Sequence, residues 1–283
     1  MIYVHRDWSK VPEEKLSRLK ALSEELEKIA DKADRKAFIA ANADAWSDVR
    51  GELEGMSFGK CWYTESCDPV SRNQTDHYRP HGRAKQAEGQ FAEGYCWLAF
   101  DIENYRIVGV LANTQNREYS EETVGKGFWF PLADPEKRAT LQNPDIGGET
   151  PLLLDPTDIA DTIKIVFWEN GEAHPAPHLD DEAKASVDHA IVRMGIRQRM
   201  LNAARRKKWR DCNRTIEKYT RFQRKPKGQR SAEEAATIDE LAQELITMAS
   251  AESEFSATVR CCLTSERLDM FITRDELAPL KLT

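Results

Sequence analysis

Asp76-His77-Tyr78-Arg79-Pro80 is the stretch on which the reading of this 283-residue chain turns. It sets a carboxylate beside an imidazole, with a guanidinium two residues on. Alone, such a pair is weak: a solitary histidine more often makes a structural hydrogen bond than performs catalysis. Its surroundings give it weight. Upstream stands Cys61-Trp62-Tyr63-Thr64-Glu65. Downstream come Trp97-Leu98-Ala99, Asn104, the apolar run Tyr105 to Leu111 (YRIVGVL), Ala112-Asn113, and the closing block Gly125-Lys126-Gly127-Phe128-Trp129-Phe130-Pro131-Leu132. The YRIVGVL run predicts a buried strand. Aromatics, glycines, prolines and short apolar runs over 58–133 set this part off as a small α/β core.

Helical patterns lie on both sides of it. Over 12–55, Pro12 suits a helix start, and Leu16, Leu19, Leu22, Leu26 and Ile29 recur at three- and four-residue spacing. Gly51, Gly55 and Gly59 then break the pattern, which predicts a helical hairpin packed on the core. Residues 134–180 hold proline-rich connections, the run TPLLLDP (150–156), and a strand from Ile163 to Trp168 that turns at Asn170-Gly171, a hairpin signal. From 181 to 226 the pattern is helical until Pro226 and Gly228 stop it. Ser231-Ala232-Glu233-Glu234 reads as a capping box opening a further helix to about Ala251. The expected organisation is an N-terminal helical arm (1–57), the core (58–133), a connecting segment with a β-hairpin (134–180) and a C-terminal helical region (181–283). The expected class is α+β, mostly helical.

Composition excludes several alternatives. Hydrophobic residues make up 40% and aromatics 8%, which rules out a disordered, collagen-like or low-complexity chain. No apolar run approaches the roughly 20 residues that cross a bilayer. MIYVHRDWSK lacks the pattern of a secretory signal, and the six cysteines (61, 67, 96, 212, 261 and 262) are too sparse for a disulfide framework, so a cytoplasmic location is expected. The net charge of -7 conceals an asymmetry: Arg193 to Arg230 holds 15 Lys/Arg against Asp211 and Glu217, a local +13, leaving -20 for the remainder. A basic segment in an acidic chain suits a polyanion or an acidic partner; a merely solvated helix face is the plain alternative.

The order and spacing of the pieces over 58–133 resemble the HNH endonucleases of bacterial anti-phage systems, the PtuB-like nucleases of Septu and of certain retrons. The residues that carry the likeness are Cys61-Trp62-Tyr63-Thr64-Glu65, Asp76-His77-Tyr78-Arg79-Pro80-His81, Trp97-Leu98-Ala99, Asn104, Gly109, Ala112-Asn113 and Phe130-Pro131-Leu132. The resemblance implies a ββα-metal core around one divalent cation, Mg²⁺ or Mn²⁺. It implies His77 as general base, Asn104 as the residue that orients the loop bearing the base, and Asp76 and Asn113 as metal ligands. It also implies DNA as substrate, a role in antiviral defence, and a separate ATPase partner of the ABC/OLD type. The residue types suit the chemistry: an imidazole of near-neutral pKa takes a proton from water, and a hard cation on oxygen ligands stabilises charge at a phosphodiester. A strand ending at Asp76-His77 sends adjacent side chains to opposite sides, so that Asp76 faces the metal and His77 the water.

The chain departs from that pattern in two places. Relatives hold a structural zinc with two Cys-x-x-Cys pairs; here only Cys61 is present, its counterparts being Thr64, Gly109 and Ala112, so no structural zinc is expected. Packing of Trp62, Tyr63, Trp97, Phe100, Phe128 and Trp129 is expected to hold the core instead. His81 stands where relatives often carry lysine. Arg79, Arg83 and Lys85, and the cluster Arg205-Arg206-Lys207-Lys208, are the candidate backbone contacts for nucleic acid. His174 and His178 flank prolines with no third ligand nearby and do not make a metal clip. Two rival readings remain from the residues: a catalytically silent nucleic-acid-binding or assembly subunit, and an RNA-cleaving nuclease.

Overall fold

The structure, a computed structural model, describes residues 1–281; Leu282 and Thr283, the last of the expected C-terminal region, lie outside it. The chain is α+β and about 48% helical. The N-terminal arm is four helices: α1 (Glu13–Glu27), α2 (Lys32–Ala41), α3 (Asp44–Asp48) and α4 (Arg50–Gly55). Asp31 caps α2 by accepting from the amides of Ala33 and Asp34, which ends the simple hairpin the leucine spacing suggested. The core follows with β1 (Gln74–His77), β2 (Arg83–Ala87), β3 (Gln90–Glu93), β4 (Tyr105–Val108) and α5 (Val110–Asn113). β1 and β4 are antiparallel, with Asp76 opposite Arg106 and His77 opposite Tyr105; β2 and β3 form a separate hairpin. The expected strand over YRIVGVL thus stops at Val108. Gly109 is extended, and α5 turns out of the strand after it.

The connecting segment contributes α6 (Ile159–Thr162) and the hairpin of β5 (Ile165–Phe167) with β6 (Ala173–Pro175). Its turn is the Asn170-Gly171 pair, with Gly171 at φ 82° and its α-carbon so close to Asn202 that a β-carbon would stand 2.0 Å from that residue's carbonyl oxygen. The C-terminal region is α7 (Asp181–Arg193), α8 (Arg199–Gln223), α9 (Ala232–Ala249) and α10 (Ser256–Ser265). The helix expected from 181 to 226 is broken between Arg193 and Arg199, where Gly195 takes φ 65°. Ser231 and Glu234 make the reciprocal capping box on α9.

Three apolar clusters fill the molecule, and two of them cross the boundaries read from the sequence. One joins Leu19, Leu26, Ile39, Val49 and Leu53 of the arm to Trp62, Phe100, Tyr105 and Ile107 of the core. A second joins Tyr63, Tyr78, Tyr95, Trp129 and Phe130 to Leu153, Leu154, Ile165 and α7. The third lies between α8, α9 and α10. Of the six aromatics expected to hold the core, Trp62, Tyr63, Phe100 and Trp129 are buried and Trp97 is packed at its edge, but Phe128 is 45% exposed. Buried charge adds to the packing. Glu65 receives the Met1 amino group at 3.0 Å and hydrogen bonds from Ser256 and Ala257, and its carboxyl titrates at about 2: burial would raise it, but the amino group and Lys60 outweigh that. No helix among the described residues is long and apolar enough to cross a membrane.

Candidate functional site

The alternation of β1 sorts the candidate residues onto two faces. On one, Thr75 and His77 meet the arm: Thr75 Oγ1 donates to the carbonyl of Trp46, and the Trp46 ring stands edge-on to His77 at 5.0 Å between centroids. On the other, Gln74 and Asp76 face α5 and Lys126. The sequence reading of an Asp-His pair pointing to opposite sides describes this strand.

His77 is 8% exposed, with Tyr105, Trp46 and His81 around its ring. Its Nε2 lies 2.9 Å from the carbonyl oxygen of Ala99. A carbonyl only accepts, so Nε2 carries the hydrogen and Nδ1 carries the lone pair. Burial above all, then the neighbouring His81 and Lys126, lower the imidazole from 6.5 to about 3, against the pull of the Ala99 carbonyl. The ring is therefore neutral throughout the physiological range, with the lone pair on Nδ1, and is a weaker base than the near-neutral imidazole expected from the sequence. His81, its ring 4.6 Å away, is also lowered by burial.

Asn104 is tied by hydrogen bonds to the segment that follows His77. Its side-chain oxygen accepts from the Arg79 amide at 2.8 Å, and its nitrogen donates to the carbonyls of Arg79 (2.9 Å) and Leu98 (3.3 Å), while its own carbonyl accepts from the Tyr78 amide. The segment leaving His77 is thereby tied to the turn that supplies the Ala99 carbonyl.

Asp76 has a different setting from the one expected. Its carboxylate is 6% exposed and meets Lys126 Nζ at 3.0 and 3.1 Å and the Tyr63 hydroxyl at 3.0 Å. Lys126 is wholly buried and also donates to the His77 carbonyl at 2.8 Å. Burial pushes the Asp76 carboxyl up and the Lys126 ammonium down, each opposed by the other's charge. Asn113 lies at the surface, its Nδ2 donating to Gln74 Oε1 at 2.9 Å. Cation binding through Asp76 and Asn113 does not fit this arrangement: Lys126 already neutralises the only carboxylate of the pair, and a dication there would stand against a buried ammonium. The sequence reading assigned no role to Lys126. Its signal was the Gly-Lys-Gly triplet. Gly125, at φ 103°, lies so near Thr114 that a β-carbon would fall 2.2 Å from its carbonyl oxygen, and that close turn delivers the lysine inward. Trp46 was missed as well; nothing in the arm marks it except that it is the arm's second tryptophan.

The candidate backbone contacts divide. Arg83 is exposed, its guanidinium 4.4 Å from the Phe91 ring and 4.7 Å from the Phe128 ring, both exposed as well. Arg206 and Lys207 are exposed and Lys208 half-buried. Three others are corrections. Arg79 is spent on Glu149 at 2.9 Å and on the Phe130 face. Lys85 is 8% exposed, paired with Glu88 and stacked on Trp129. Arg205 is fully buried beneath α8, donating to the carbonyls of Ile196 (2.6 Å) and Thr64 (3.2 Å), and burial draws it down to about 10. An arginine side chain from α8 thus holds the loop that carries Thr64.

No protein-family model and no curated protein matches the chain. The site is therefore argued from its own geometry. A cleft of about 460 Å³ lies between Ile2–Asp7, the Met56–Cys61 turn and the C-terminal helices, and neither His77 nor Asn113 lines it.

Proposed function

We propose that this chain is an HNH-type endonuclease that hydrolyses phosphodiester bonds of DNA, with His77 as the base. One observation carries the reading: Nε2–H of His77 is set on the Ala99 carbonyl and the lone pair is left on Nδ1, beside a loop braced by Asn104. A base fixed in one tautomer by a backbone carbonyl is arranged to take a proton from water. That two antiparallel strands and a short helix bring Asp76, His77, Asn104 and Asn113 into one small region is consistent with it. Work in antiviral defence beside an ATPase of the ABC/OLD type belongs to the same proposal and rests on the family resemblance alone.

The Asp76–Lys126 ion pair favours a second reading, a catalytically silent nucleic-acid-binding subunit, because it closes the carboxylate that the reaction's cation would need. We derive no step through a metal for that reason. Plasmid DNA incubated with the purified chain in Mg²⁺ or Mn²⁺, beside EDTA and His77→Ala, separates the two. The nuclease reading expects nicking or linearisation by wild type and at least about a hundredfold less by His77→Ala, the scale of a lost general base. Equal cutting by the two proteins sinks His77 as base. No cutting by wild type in either cation favours the silent subunit.

A further inference from the structure

The basic segment becomes a surface when it is wound into α8. Arg206, Arg210, Arg214, Lys218 and Arg221 follow one another on α8 at four- or three-residue steps, Lys225 lies just past its end, and all six are exposed. At about 100° per residue the five on the helix fall within a sector of roughly 120°, and at 1.5 Å per residue they span about 22 Å. The opposite face carries Trp209, Cys212 and Ile216 into the cluster shared with α9 and α10. Among the described residues, two of the six have an ion-pair partner: Arg214 with Asp211 at 3.6 Å and Lys225 with Glu234 at 2.7 Å. A chain of net charge -7 thus gathers these basic residues on one helix face, with the exposed Glu217 as the acid that falls inside the same sector.

The start of α8 is anchored on α5, on the face of β1 away from His77, and the row begins two turns further on, at Arg206. Gln198, which precedes α8, donates from its side chain to the carbonyl of Leu111 in α5 at 3.0 Å; the Arg199 amide donates to Tyr119, and Gly195 lies against Ala112. The first turn of α8 is therefore anchored on the helix that carries Asn113, and the charged face leads away from it.

We propose that this face of α8 is the track for the phosphate backbone of duplex DNA. The inference rests on the nuclease reading for its substrate but not for its test. Backbone neutralisation makes affinity fall with salt by about 0.9 in logarithmic slope for each phosphate contacted. The probe is a fluorescein-labelled duplex of about three helical turns, and the readout is anisotropy between about 50 and 200 mM KCl. The parent is the full chain carrying His77→Ala, so that nothing is cut. Adding Arg214→Glu, Lys218→Glu and Arg221→Glu is expected to weaken binding at least about tenfold and to lower the slope by about 2.7, three contacts' worth. A control of equal charge change on the arm, Lys20→Glu with Lys28→Glu and Lys36→Glu, is expected to keep the parent's slope. Failure of the parent to bind the duplex, an unchanged slope in the α8 variant, or the same loss in the control overturns the proposal. Circular dichroism of each variant confirms that the helices persist. If these results hold while the wild-type chain cuts nothing, the nuclease reading falls and the track stands.

Discussion

At the scale of single residues, the site is decided by what each polar group is allowed to touch. His77 was legible in the sequence because its neighbours follow a pattern. Its tautomer was not, since that depends on the Ala99 carbonyl 22 residues away. Asp76 was legible as an acid beside His77, expected on a metal, but its burial and its partner were not: Lys126 lies 50 positions on and arrives through a glycine-flanked turn. The pair makes a sharp prediction. Lys126→Met leaves a buried carboxylate facing only Tyr63, and removal of one partner of a buried ion pair costs about 3–5 kcal/mol. Urea denaturation is expected to show that loss, and Asp76→Asn added to Lys126→Met to recover most of it. Equal stability of Lys126→Met and wild type would mean that the carboxylate is free to take another cation.

At the scale of elements, the period of the sequence was the reliable guide and the ends of elements were not. The leucine spacing announced α1, and Ser231 and Glu234 announced the start of α9, because both signals are local. β4 ended early at Gly109, and the long C-terminal helix broke at Gly195, because tertiary contacts with α5 fix those turns. The basic helix shows the limit of reading charge without phase. Arg205 and Arg206 are neighbours in sequence, but about 100° apart on a helix, so one enters the core and the other enters solvent. Arg205→Ala should therefore behave as a core truncation. It leaves the Ile196 and Thr64 carbonyls without their donor and opens a space beside Phe167, at a cost of about 2–4 kcal/mol. Chemical denaturation reads that cost, and the salt slope of DNA binding is expected to stay at the parent value. A stable Arg205→Ala with a lowered slope would place the guanidinium at the surface.

At the scale of the whole molecule, the arm, the core and the C-terminal helices share cores instead of meeting as finished domains. Leu19, Leu26 and Leu53 pack with Tyr105 and Ile107, the strand opposite His77, and Trp46 covers the imidazole itself. The neutrality of the His77 ring is thus a product of the entire fold. The unfolded chain takes up a proton near pH 6.5, and the folded chain refuses it until about pH 3. Stability from this group is therefore complete above pH 6.5 and is lost as pH falls towards 3, at up to about 1.4 kcal/mol per pH unit. The most direct test of the account is a nitrogen-15 titration of the His77 ring in histidine-labelled protein. The account predicts a proton on Nε2, a bare Nδ1, and no change in either between pH 5 and 8. A proton on Nδ1, or a ring that titrates near pH 6.5, would contradict it.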